Sequence, residues 1–304
     1  MKKIITLVIA VLSAIAVALS EYFGANTSGT ETRQEPETEI VMGTDDGEDG
    51  ETEDETYDET EGESEATDVA DADALLPAMP AKWDSKVKNV VRHKYFSLLY
   101  DTRHNTPAWV AWKLTAEHSH GNQERSQKFW ADPKIPRQYR VDFYDYRAEW
   151  DRGHMCPAGD NKWDQEAMYE CFYMSNMCPQ DHILNTESWE KLESACRRWA
   201  RAEGEIYIVC GPIYENRRHR QIGVNHKVDV PEGFFKAVVS LRKGKEKAIA
   251  FYFPNDAREQ PYRDIATTVD EIEKKCGFNL FAGIDKTLQD RIEATADIKA
   301  WKNE

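Results

Sequence analysis

The stretch DRGHMCPAGD places the carboxylate of Asp151, the guanidinium of Arg152 and the imidazole of His154 side by side. Further along, Asn185 stands in LNTESWEKLE, and Glu193 follows it two helical turns later on roughly the same side. An imidazole with an ordinary pKa near 6.5 can take a proton from water near neutral pH. A guanidinium can hold two phosphoryl oxygens at once. An amide oxygen and a carboxylate suit a hard divalent cation. Hydrolysis of a phosphodiester needs such parts. Each residue also has a plainer role open to it. His154 could be a core histidine or a metal ligand. Asn185 could cap a helix. Glu193 could be solvated or pair with Arg197 at i+4. Arg152 could form a surface ion pair. His118 and His120 in EHSHG lack a third ligand at convincing spacing and read as solvated loop residues.

The elements that must position these residues are legible in outline. Tyr95–Tyr100 and Ala108–Leu114 read as strands joined by the hairpin loop Asp101–Pro107. Phe172–Asn176 reads as a further strand. A helix opens at Asn185, with Trp189, Leu192, Cys196 and Trp199 repeating at three and four, and stops at Gly204. Ile206–Cys210 is a buried strand, Phe234–Leu241 and Ala248–Phe253 form a strand pair, and Ala266–Cys276 is a short amphipathic helix. Strands and helices mix without regular βαβ alternation, so the fold class is α+β. No glycine-rich phosphate loop occurs.

The net charge of -16 over 304 residues is unevenly spread. Between Glu31 and Asp73 stand about 20 acids against one Arg, roughly -19, which leaves roughly +2 on the rest after the N-terminal segment. The ordered part is therefore near neutral, and a groove for nucleic acid is not excluded. Residues 1–24 carry two lysines before an apolar run of about 16 residues, short of a comfortable span. They read as a signal peptide or uncleaved N-terminal anchor, giving an exported protein with membrane association through this segment. A mitochondrial presequence fits poorly, because Arg is absent and acids follow at once. Residues 25–74 read as a disordered acidic linker, either a solvated spacer or a nucleic-acid mimic. The folded domain is expected over 75–290, with a tail over 291–304. Six cysteines lack any CxxC pair, which argues against a zinc ribbon. Bridges and buried thiols both remain open.

The segments DRGHMCPAGD, FYMSNMCPQ and LNTESWEKLE, in that order, resemble the DNA/RNA non-specific endonuclease family. These are the ββα-metal, or His-Me finger, nucleases. PAWVAWKLT, IYIVCGPIY, VDVPEGFFKAVV and FYFPN match as well, so the likeness runs from about Tyr95 to Gly283. The resemblance implies a ββα-metal domain with a central mixed or antiparallel sheet. It implies Mg²⁺-dependent, sequence-non-specific cleavage of DNA and RNA, with Mn²⁺ or another divalent cation as a substitute. His154 matches the general base and Asn185 the metal ligand. Glu193 matches the acid that orders the metal's waters, and Arg152 a phosphate-binding arginine. Asp151 opens the motif and supports its geometry, and Arg125 is the best match for an upstream phosphate-binding arginine. Asn176 and Gln180 match structural supports. The family includes homodimers. A non-catalytic nucleic-acid-binding protein on the same fold is the competing reading.

Overall fold

The computed structural model describes residues 75–146, 149–215 and 217–301, all within one compact unit. The N-terminal segment and the acidic linker lie outside the described residues. So do the expectations of membrane association and of a mimic that rest on them. Among the described residues, no helix is long and apolar enough to cross a membrane.

The frame is a seven-stranded antiparallel sheet. Its strands are β1 (Val91–Arg92), β2 (Ser97–Asp101), β3 (Thr106–Thr115), β6 (Glu205–Ile213), β9 (Gly233–Ser240), β10 (Lys247–Pro254) and β11 (Ala266–Thr267), in that spatial order. The central strands are apolar on both faces because both faces are covered. Phe234, Val238, Ile249, Phe251 and Phe253 face one layer, with Leu192, Cys196 and Trp199 of helix α2 (Glu190–Glu203). Phe235, Ala237, Val239, Ala248 and Ala250 face the other, against Val269 and Ile272 of α3 (Val269–Cys276). This period-two division assigns every second residue to a different layer.

A separate hairpin of β4 (Asp151–His154) and β5 (Met177–Gln180) sits on the α2 side, in the register Asp151↔Gln180 to His154↔Met177, and a second small hairpin pairs β7 (Gln221–Ile222) with β8 (Val228–Asp229). Between its strands lies the short helix α1 (Gln165–Glu170). Asn255, just past β10, ties this hairpin to the sheet edge. Its Nδ2 donates to Pro179 O at 3.1 Å and Pro231 O at 3.0 Å, and its Oδ1 accepts from Asp181 N at 2.8 Å.

Three expected boundaries move. Phe172–Asn176 is not a strand. Met174–Asn176 forms a 3₁₀ turn, held because Asn176 Nδ2 donates to Cys156 O and Cys171 O, both at 2.8 Å, and the strand begins at Met177. The helix expected over Ala266–Cys276 starts at Val269. Thr268 caps it by accepting from Glu271 N at 3.2 Å, and Ala266–Thr267 is left to pair with β10. The 291–304 segment is not loose up to Trp301. That indole is 2% exposed, with its centroid 5.0 Å from that of Trp199.

Candidate active site

Strand alternation sends Arg152 and His154 to one face of β4 and Asp151 and Gly153 to the other. Gly153 is required by close packing, since a Cβ there would lie 2.2 Å from Gln180 Oε1. The chain after His154 is clamped from two sides. Asn176 Oδ1 accepts from Cys156 N at 2.9 Å, and Trp189 Nε1 donates to His154 O at 3.2 Å. Asn176 is thus the support expected of it. Gln180 packs against Gly153, and its buried amide makes no hydrogen bond.

Asn185 is not the helix cap. The chain is already helical from His182, and Asp181 caps it by accepting from Ile183 N at 2.9 Å and Leu184 N at 3.3 Å. Asn185 lies one turn in, on a π-helical turn (Leu184–Trp189) that leads into α2. Such turns often mark sites where a side chain is re-aimed. Its Nδ2 donates to Asp151 Oδ2 at 2.9 Å, and His182 Nδ1 is also 2.9 Å from that oxygen. With its nitrogen engaged, the amide presents its oxygen as the free end.

His154, Asn185, Glu193 and Arg125 line one cavity of about 410 Å³, together with Lys162, Glu190 and Arg197. His154 is 7% exposed, and its Nε2 is buried with no hydrogen-bond partner. Burial, then the positive charge of Arg125 and Arg152, lowers its pKa to about 3, against a hydrogen bond with the Arg152 backbone. The imidazole is therefore neutral, with a lone pair to offer. Burial raises Glu193 to about 7, opposed by Lys236 and Arg197 and reinforced by Asp160. The cavity's oxygen donors, the Asn185 amide with the Glu190 and Glu193 carboxylates, fit a hard cation of the Mg²⁺ type.

Arg152 lies beside the cavity. Its guanidinium is 4.7 Å from the Phe129 ring centroid and 4.5 Å from that of Phe143, and Nη1 donates to Tyr146 O at 3.3 Å. No carboxylate among the described residues pairs with it, and rings take the place of the surface ion pair. The alternative pairing of Glu193 with Arg197 does not form. Arg197 Nη1 instead donates to Asp160 Oδ1 at 2.9 Å, and Glu193 Oε1 is 3.9 Å from Lys236 Nζ. Asp160 and Lys236 were missed by sequence reasoning, and Arg197 entered it only as an i+4 partner for Glu193. Asp160 stands within DRGHMCPAGD, and Lys236 is a lone cation in an apolar strand. Both are signals that could have been read. His118 is not simply solvated, since it stacks on Trp163 with centroids 3.6 Å apart, whereas His120 is exposed as expected. All six cysteines are free, which settles the open question against bridges.

The hairpin-plus-helix carrying this constellation defines a ββα-metal nuclease fold, and the comparisons agree. Residues 79–287 match the DNA/RNA non-specific endonuclease family, and the chain belongs to it. It is 34% identical over 215 residues to "Nuclease 1, mitochondrial" of Schizosaccharomyces pombe, covering 64% of this chain and 66% of that protein. It is 32% identical to "Nuclease EXOG, mitochondrial" of Xenopus laevis, covering 62% and 57% respectively. It is 31% identical to human "Endonuclease G, mitochondrial", covering 60% and 66%. The chain thus spans less than two thirds of the length of these relatives. A chain in a crystal structure of the EndoG/EndoGI complex superimposes with a TM-score of 0.64 at 29% identity, covering 71% of this chain and 92% of that one. The expectation of an exported protein with a signal peptide is corrected by these names, which are mitochondrial throughout.

Proposed function

We propose that the protein is a metal-dependent endonuclease that cleaves phosphodiester bonds in DNA and RNA without sequence preference, in a mitochondrial rather than an exported setting. The observation that carries this reading is the unpartnered Nε2 of His154, buried in one cavity with Asn185 and Glu193.

His154 takes a proton from a water at Nε2, and that water attacks phosphorus. A pKa of about 3 makes a weak base in the empty cavity. Burial depresses it most and Arg125 and Arg152 add to this, so a substrate phosphate placed between the two arginines would offset their share and strengthen the base. Arg152 binds non-bridging phosphate oxygens, and Arg125 does so from the cavity wall. Asn185 would hold a divalent cation through its amide oxygen, with Glu193 accepting hydrogen bonds from the cation's hydration shell, and the cation would stabilise charge on the departing oxygen. Asp151 keeps the Asn185 oxygen directed at that place. These contacts read phosphate and sugar, so base specificity should be low.

A plasmid-degradation assay with Mg²⁺, repeated with EDTA, separates this reading from a non-catalytic binder. His154→Ala should lower cleavage about 10²–10⁴-fold while DNA affinity persists. Wild-type turnover in that variant would overturn the assignment.

A further inference from the structure

Beside the cavity stands a pair of aromatic rings that the reaction does not use. Phe143 and Tyr144 are 44% and 56% exposed, with centroids 5.7 Å apart. They ride on a 3₁₀ turn (Phe143–Asp145) that is rigidly tied. Asp142 accepts from Tyr144 N at 2.7 Å, and Asp142 N donates to Asp145 Oδ2 at 3.3 Å. The buried Asp145 Oδ1 accepts from the backbone N–H groups of Val224, Asn225 and His226, at 3.0, 2.7 and 3.0 Å. Burial pushes its pKa up, but these bonds outweigh that and hold the carboxyl below its ordinary range. The rings are therefore exposed by construction, on a turn whose backbone is held from a neighbouring hairpin.

Their position is continuous with the cavity. The Phe129 centroid lies 5.8 Å from that of His154 and 6.5 Å from that of Phe143, the latter pair stacked with their planes 29° apart. The Arg152 guanidinium sits against both Phe129 and Phe143. A phosphate on Arg152 would thus have an aromatic face beside it, at the reach of a nucleotide's own base. Two rings are far too small for a stable protein interface, which buries about 800 Å² per partner. A flat, apolar surface next to a cation matches a nucleobase joined to a phosphate.

We infer that Phe143 and Tyr144 form a stacking platform for an unpaired base of the substrate, next to the nucleotide whose phosphate Arg152 holds. In a duplex the bases are already paired and stacked inside. The platform therefore favours single-stranded, looped or frayed nucleic acid. This inference rests on the nuclease reading above.

The test compares Tyr144→Ala, Phe143→Ala and the double variant with the wild-type chain. Cleavage of a single-stranded oligonucleotide and of its duplex is measured in Mg²⁺. Binding of a 2-aminopurine-labelled single strand is measured in EDTA, where cleavage is absent. Each ring removed should raise the single-strand KM and Kd about tenfold, the lower range for a base–aromatic stack. Tyr144→Ala should leave duplex kinetics unchanged, and Phe143→Trp should retain single-strand affinity. Equal losses on both substrates, or no loss on either, overturn the platform. So does a loss of self-association by light scattering with unchanged single-strand binding, because the rings would then serve a second copy. Failure of the nuclease reading looks different, because the wild-type chain would then cleave neither substrate.

Discussion

Asp151 accepts a hydrogen bond from the amide nitrogen of Asn185 at 2.9 Å, so an acid at the start of β4 decides which end of an amide on the facing helix is free. The same oxygen lies 2.9 Å from His182 Nδ1. Asp151→Ala should free the Asn185 amide to rotate and weaken apparent Mg²⁺ affinity about 10–100-fold, the usual cost of losing a residue that orients a ligand. A Mg²⁺ titration of cleavage reads this directly. Superimposable titration curves for variant and wild type would remove Asp151 from the metal's support.

The buried state of His154 carries a stability signature. Its folded pKa, about 3, lies below the ordinary value of 6.5, so above 6.5 both folded and unfolded chains hold it neutral. As pH falls below 6.5, the unfolded chain binds a proton that the folded chain refuses. Stability is lost at up to about 1.4 kcal/mol per pH unit until about pH 3. Urea unfolding at pH 7.5 and pH 5.5 should show a loss about 1.4 kcal/mol larger in the wild type than in His154→Gln. Equal losses in both proteins would mean that the imidazole is protonated or solvated in the fold.

Five of the six cysteines are buried, and burial raises the pKa of Cys196 and Cys210 to about 12 and of Cys276 to about 11. Such thiols are poor nucleophiles. Dithiothreitol should leave the melting temperature unchanged, and a thiol reagent should count all six only after denaturation. A drop in melting temperature on reduction would restore the disulfides that the even cysteine count allows.

The contrast between what the chain's pattern reveals and what it hides follows from interaction range. Helix α2 was legible because Leu192, Cys196 and Trp199 repeat with its period and Gly204 ends it at φ 93°, a conformation that glycine adopts freely. The strands Ile206–Cys210 and Ala248–Phe253 were legible as apolar runs. The turn at Met174–Asn176 was not, because the Asn176 side chain holds it through Cys156, twenty residues earlier. His154, Asn185, Glu193 and Arg125 were named in advance through a family likeness, and they do line one cavity. Asn185 nonetheless looked locally like a cap, and only the placement of Asp181 one turn earlier removes that reading. Lys236 escaped notice because nothing within β9 tells which buried acid a lysine will face.

That lysine gives the sharpest test of how Glu193 is tuned. Lys236 is 1% exposed, and its Nζ lies 3.9 Å from Glu193 Oε1 and 4.3 Å from the Trp189 ring centroid. Burial drives Glu193 up to about 7, and the lysine's charge is the largest influence restraining it. The carboxylate form is the one that can accept hydrogen bonds from a cation's hydration shell. Cleavage at fixed Mg²⁺ should therefore fall as pH drops below about 7, where Glu193 takes up a proton. Lys236→Met keeps the volume and removes the charge, so that acidic limb should move up by about a pH unit or more. Glu193→Gln should lose the limb altogether, with a low residual rate. Leaving a buried acid unpaired costs about 3–5 kcal/mol, so the melting temperature of Lys236→Met is measured first and the profile is taken well below it. A folded Lys236→Met protein whose limb stays at the wild-type pH would show that the ion pair does not govern Glu193.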